Sequence, residues 1–170
     1  MAVDLTLKGT AITNREASPP VFNNPGLGEG GRERVAYGHL LSVPAALSVT
    51  SIIRLVQVPS NALMSALWLQ SEAQVAGTFD VGVYRTNKDG GAVVSQAFFA
   101  TAVSCAAAVP ATDVLNESTT NTIAKQSQPL WQALGMTVDP RSDLDIALTV
   151  VSVAVTTGLG AISLRARFTQ

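Results

Sequence analysis

From Ala161 to Gln170 the chain alternates strictly, with Ile162, Leu164, Ala166 and Phe168 set against Ser163, Arg165, Arg167 and Thr169. A period of two sends successive side chains to opposite faces of an extended backbone. The segment therefore reads as a β-strand with one core face and one wet face. Asp143 to Thr156 repeats the pattern, with Leu144, Ile146, Leu148 and Val150 on one face. Gly158-Leu159-Gly160 lies between the two and reads as a turn, so the pair predicts an antiparallel hairpin. In this reading Asp143 and Asp145 fall on the solvent face of their strand, with Arg141 close enough for a local ion pair.

Earlier segments continue the pattern. Val49 to Val58 is dense in β-branched residues and stops at the turn cluster Pro59-Ser60-Asn61. Leu63 to Gln70 is apolar on both faces, which suits a strand covered on both sides. Thr78 to Tyr84 places Phe79, Val81 and Val83 inward and Asp80, Gly82 and Tyr84 outward, ahead of a turn at Asn87-Lys88-Asp89-Gly90-Gly91. Val93 to Ala108 is rich in alanine and predicts an extended start running into a short helix. Asp113 to Gln128 reads as an exposed loop, and Leu130 to Leu134 as a short helix stopped by Gly135. Six or more short strands at this spacing predict an all-β protein, an antiparallel β-sandwich or jelly roll with one or two short helices.

The N-terminal stretch differs in kind. Pro19, Pro20 and Pro25 fix φ and remove backbone donors, while Gly26, Gly28, Gly30 and Gly31 add backbone freedom. Only Val21, Phe22 and Leu27 offer bulk for burial. Ordering such a segment costs about 1–2 kcal/mol per residue in backbone entropy, which three apolar side chains do not offset. Residues 1–34 are accordingly expected to form an extended arm, mobile alone or fixed against a partner, and residues 35–170 the sandwich domain.

Composition narrows the function classes. A net charge of -1 gives no electrostatic footprint for nucleic acid or an anionic membrane. The uncharged stretches 92–112 and 146–164 approach the length of a membrane span, but their alanine, serine, threonine and glycine content fits a well-buried core segment and a β-hairpin respectively. Met1 to Thr10 lacks the apolar run of a secretory signal.

One cysteine, Cys105, and one histidine, His39, rule out disulfide pairing within the chain and multi-cysteine or multi-histidine metal sites. Cys105 lies among alanines and reads as an inert core thiol. His39 has no nucleophile motif to serve and reads as a surface or half-buried side chain. Gly26 to Gly31 matches G-x-G-x-x-G in letters only, because a proline-rich coil precedes it and a strand-like segment follows. Asp139, Asp143 and Asp145 do not have EF-hand spacing. The residues thus call for no cofactor, no metal and no catalysis. Arg54, Arg165 and Arg167 stand out as cations within strands of a chain that is only 14% charged. Arg165 and Arg167 share one face, where they either face water or meet acids of a neighbouring subunit.

The run IRLVQVP at 53–59, then LMSALWLQSE and TFDVGVYRTNKDGG, resembles a family of tailed-bacteriophage virion proteins. Those proteins carry a hydrophobic strand ending at a proline turn, then a D-[IV]-G-[VL]-Y strand and an acidic, glycine-rich turn. LWQALGMTVDPRSDLDIALTV, followed by a glycine turn and AISLRARF, is similar to the same family's closing segment. The matching parts cover residues 50–91 and 130–168, about half the chain. The resemblance implies a head decoration, or cement, protein of the outer capsid surface. Such a protein is made in the host cytoplasm, has no enzymatic activity, and clamps major capsid protein subunits together as a homo-oligomer, a trimer in preference to a dimer. Capsid or subunit contacts then fall to Pro19, Pro20, Val21, Phe22, Pro25 and Leu27 of the arm and to Arg165 and Arg167. The alternative is a jelly-roll module that binds a receptor or glycan on a phage head or tail fibre. It requires an exposed aromatic platform, with Tyr37, Trp68, Tyr84 and Trp131 as candidates and the two tryptophans expected in the core.

Overall fold

The computed structural model of the chain describes residues 32–43, 47–74, 77–152 and 160–170. Among these residues eight strands form two four-stranded antiparallel sheets. They are β1 (Glu33–Leu40), β2 (Ile52–Pro59), β3 (Leu63–Ser71), β4 (Thr78–Arg85), β5 (Val93–Ser104), β6 (Val109–Asp113), β7 (Asp143–Ser152) and β8 (Ile162–Thr169). One short helix, α1 (Leu130–Ala133), and two 3-10 turns at Asn87–Asp89 and Ile123–Lys125 complete the set. β1 begins at Glu33, so Glu33 and Arg34 are sheet residues. The rest of the expected arm, with Pro19, Pro20, Val21, Phe22, Pro25, Leu27 and the G-x-G-x-x-G letters, lies outside the described residues.

The strand order is β1-β8-β3-β6 in the first sheet and β2-β7-β4-β5 in the second. The first four strands pair with the last four in reverse: β1 with β8, β2 with β7, β3 with β6, β4 with β5. Successive pairs fall in alternate sheets, and β3–β8 and β4–β7 pairing seals each sheet. A long antiparallel ribbon wound on itself produces this order, which is the eight-stranded jelly roll. The expectation of a β-sandwich is met. The expected β7–β8 hairpin is not, because these strands lie in different sheets. Alternation dictates which face a side chain takes and is silent about the neighbouring strand.

Period-two patterning explains the core. Ile162, Leu164, Ala166 and Phe168 of β8 and Leu67 and Leu69 of β3 are buried from one side. Phe79, Val81 and Val83 of β4, with Leu144, Ile146, Leu148 and Val150 of β7, are buried from the other. At the β1/β2 edge the two sheets nearly touch. A Cβ added to Gly38 of β1 would stand 1.8 Å from the Leu55 carbonyl oxygen of β2, so only glycine permits this approach. Leu55 sits where the β2–β7 register slips between Arg54 and Val56.

The alanine-rich segment forms no helix. It becomes β5, a 12-residue strand, and its ladder to β4 jumps from Val81↔Ala100 to Val83↔Ser95. Six residues of β5, Ser95 to Ala100, thus stand opposite three of β4, Val81 to Val83, and the excess folds over the outer face of β4. Asp80 anchors it by accepting hydrogen bonds from Gln96 Nε2 (2.9 Å) and the Ala102 N–H (2.8 Å), with Ala102 at a φ of 51°. A Cβ on Gly82 would lie 2.0 Å from the Gln96 carbonyl oxygen. Asp80, Gly82 and Tyr84, expected in solvent, are therefore buried. An uncharged helix would have had no face to give to water, whereas a bulged strand gives its apolar residues a surface to cover.

Candidate functional site

Arg54 of β2 organises the outer face of the second sheet. Its Nη1 donates to Asp145 Oδ2 on β7 (2.7 Å) and to the Arg85 carbonyl (2.6 Å), and its Nη2 donates to the Gly91 carbonyl (2.7 Å). The guanidinium also lies 5.4 Å from the centroid of the Tyr84 ring, whose hydroxyl is hydrogen-bonded to Thr149. Asp145, expected on the wet face, is buried beneath this arginine, so its ion pair is with Arg54 and not Arg141. Side chains meeting in this way across three strands fix the sheet and the turn after β4; the shallow hollow beside them, lined by Arg54, Gln57, Asn87 and Asp145, has its charges already paired with each other.

The acidic cluster does not converge. Asp139 accepts from Ser60 Oγ and from the Arg141 N–H (2.9 Å), and the Ser60 hydroxyl, then that N–H, hold its carboxyl below the ordinary carboxylate value. Among the described residues no group of three or more His, Cys, Asp and Glu side chains is placed to hold a metal ion. Cys105 is buried, and burial pushes its thiol up despite a hydrogen bond from Ser71. No described helix is long and apolar enough to cross a membrane.

The outer face of the first sheet is different. Register sets Tyr37 of β1 opposite Arg165 of β8, and Arg165 opposite Trp68 of β3. The three form one row across the sheet, with the arginine between two aromatic residues. Tyr37 is 57% exposed, and the Arg165 guanidinium is 5.9 Å from its ring centroid. The next row holds His39, Ser163 and Gln70 in the same order. His39 stacks on Tyr37 with ring centroids 5.4 Å apart.

A hollow of about 240 Å³ lies over Tyr37, Trp68, Gln70, Ser163 and Arg165. A second, of about 550 Å³, shares Tyr37, Gln70 and Ser163 and runs on to His39, Glu72 and Pro110. One row away, Arg167 is ion-paired with Glu33 at the start of β1, and that carboxylate raises the arginine's pKa above its ordinary value.

Of the aromatic candidates, Tyr84 is buried, and Trp131, expected in the core, is a half-buried residue of α1 that lines neither hollow. Trp68, expected in the core, is half-buried and part of the row. Sequence alone gives the arginines and their shared face. The aromatic neighbours depend on the β1–β8–β3 register, which no local pattern encodes.

No protein-family model and no curated protein matches the chain. Its fold is similar to that of a chain in the cyanophage Pam1 capsid asymmetric unit. The TM-score is 0.53 at 17% identity, and the match covers 91% of this chain and 96% of that one. A likeness at this identity is one of fold.

Proposed function

We propose that this protein is a non-enzymatic structural component of a phage capsid, and that it decorates the outer shell as a homo-oligomer clamping major capsid protein subunits. The observation that carries the reading is the jelly roll it shares, nearly end to end, with a chain of the Pam1 capsid asymmetric unit. The buried carboxylates Asp80 and Asp145 and the cations Arg54 and Arg167 are engaged in scaffold bonds, which suits a passive protein. A molecule that binds the assembled shell and not its parts shifts the equilibrium toward the shell, and several weak contacts per oligomer reinforce one another.

The proposed capsid contact is the segment before β1, Pro19 to Leu27, whose composition suits a strap that orders on a partner. Of the two arginines on the outer face of the first sheet, Arg167 already has an acid partner on its own chain, Glu33. The test is sedimentation of the purified protein with emptied phage heads, using the full chain and a variant lacking residues 1–31. The full chain should co-sediment, and the truncated chain should keep its β-sheet circular dichroism and lose most of its binding. Equal saturation by both refutes the strap, and no binding by either refutes the capsid role.

A further inference from the structure

We propose that the Tyr37–Arg165–Trp68 row is a binding site for an acidic saccharide. Arg165 makes no ion pair or hydrogen bond among the described residues, unlike Arg54 and Arg167, each of which has a carboxylate. Its guanidinium lies over the ring of Tyr37. The side chains of His39, Gln70 and Ser163 likewise make no hydrogen bond among the described residues. The Arg165 guanidinium thus shares the smaller hollow with Gln70, Ser163 and the two aromatic residues, while His39 lines the adjoining larger one with Tyr37, Gln70 and Ser163.

A pyranose suits that chemistry. It has an apolar C–H face that lies on an aromatic ring and a rim of hydroxyls for amide, imidazole and hydroxyl groups. Tyr37 and Trp68 are two strand spacings apart, about 10 Å, which a disaccharide spans and a single ring does not. The charge decides the class. A planar fork held beside a ring is suited to a carboxylate, which it engages through two parallel hydrogen bonds. A uronic or sialic acid unit supplies both the ring and the carboxylate. A second copy of this chain is the competing occupant, but it would have to bring an acid to Arg165 and fill a polar hollow. This site is independent of the capsid reading, because all its residues belong to one folded chain.

The test uses the full chain on an array carrying uronate- and sialate-containing oligosaccharides beside their neutral counterparts, followed by titration with the best-retained acidic glycan. Retention of acidic over neutral glycans is expected, and Arg165→Gln should weaken binding roughly tenfold or more. Tyr37→Ala should weaken it as well. Both positions are exposed, and unchanged thermal melting of each variant checks that the fold persists. Light scattering of wild type and both variants examines the competing occupant. The proposal is overturned if no acidic glycan is retained, if Arg165→Gln binds as wild type does, or if the substitutions dissociate an oligomer without a saccharide effect.

Discussion

Replacing Arg54 with methionine tests how the second sheet is held. The substitution keeps most of the stem and removes the charge and all three donated hydrogen bonds. The side chains of the pair are 21% and 5% exposed, and Asp145 Oδ1 already has no hydrogen-bond partner among the described residues. Asp145 would be left as a buried carboxylate with nothing to offset its desolvation, which costs about 3–5 kcal/mol. The two carbonyls it also loses lie near the partly exposed arginine, where water replaces much of the lost bonding, so they add little. For a chain of this length the total lowers Tm by about 6–20 °C. In urea, unfolding followed by tryptophan fluorescence at one protein concentration should show the midpoint falling by about 1 M or more.

Arg167→Met is the internal control. Its pair with Glu33 is 46% and 45% exposed, and such solvent-screened pairs contribute little to stability. Arg54→Met combined with Asp145→Leu should be more stable than Arg54→Met alone, since an apolar pair leaves no orphaned charge. If Arg54→Met costs no more than Arg167→Met, or the double variant is no better than the single one, the buried-charge argument fails.

Three further outcomes are expected. Gly82→Ala drives a methyl group into the Ser95 and Gln96 carbonyls and should destabilise by about 3 kcal/mol or abolish soluble folding, read as yield and urea midpoint. Asp139 has a lowered pKa when folded, so its contribution is present above the ordinary 3.8 and lost as pH falls through the folded value. Acid unfolding of Asp139→Asn should therefore show a shallower loss of stability below about pH 4 than wild type, and an identical profile would remove Ser60 and Arg141 as its cause. Cys105 is buried with a raised thiol pKa, so native protein should react with a thiol reagent only as fast as it opens. Rapid labelling without denaturant would contradict that burial.

Period-two alternation made the inward residues of β7 and β8 readable directly, because burial of one sheet face forces an apolar residue at every second position. The helix α1 was equally legible from LWQAL and the glycine after it, and Gly135 does take a φ of 78°. Three features were not legible. Alanine favours helix, so the β5 segment looks partly helical in sequence, and the outer surface of β4 that it covers is absent from any local window. β7 and β8 are consecutive, which suggests a hairpin, whereas the winding of the ribbon separates consecutive strands. Hydrophobicity alone puts Trp68 in the core, and the register puts it on the outer face.

The sequence by itself thus determined the class of fold, the two faces of each strand and the absence of a nucleophile or metal motif, all of which are encoded by residue types at short spacing. Only the tertiary structure decided which strands are neighbours. That choice brings Arg54 onto Asp145 and Arg165 between Tyr37 and Trp68. Both sets draw on residues about 90 or more positions apart, and their proximity depends on strand register across the wound ribbon.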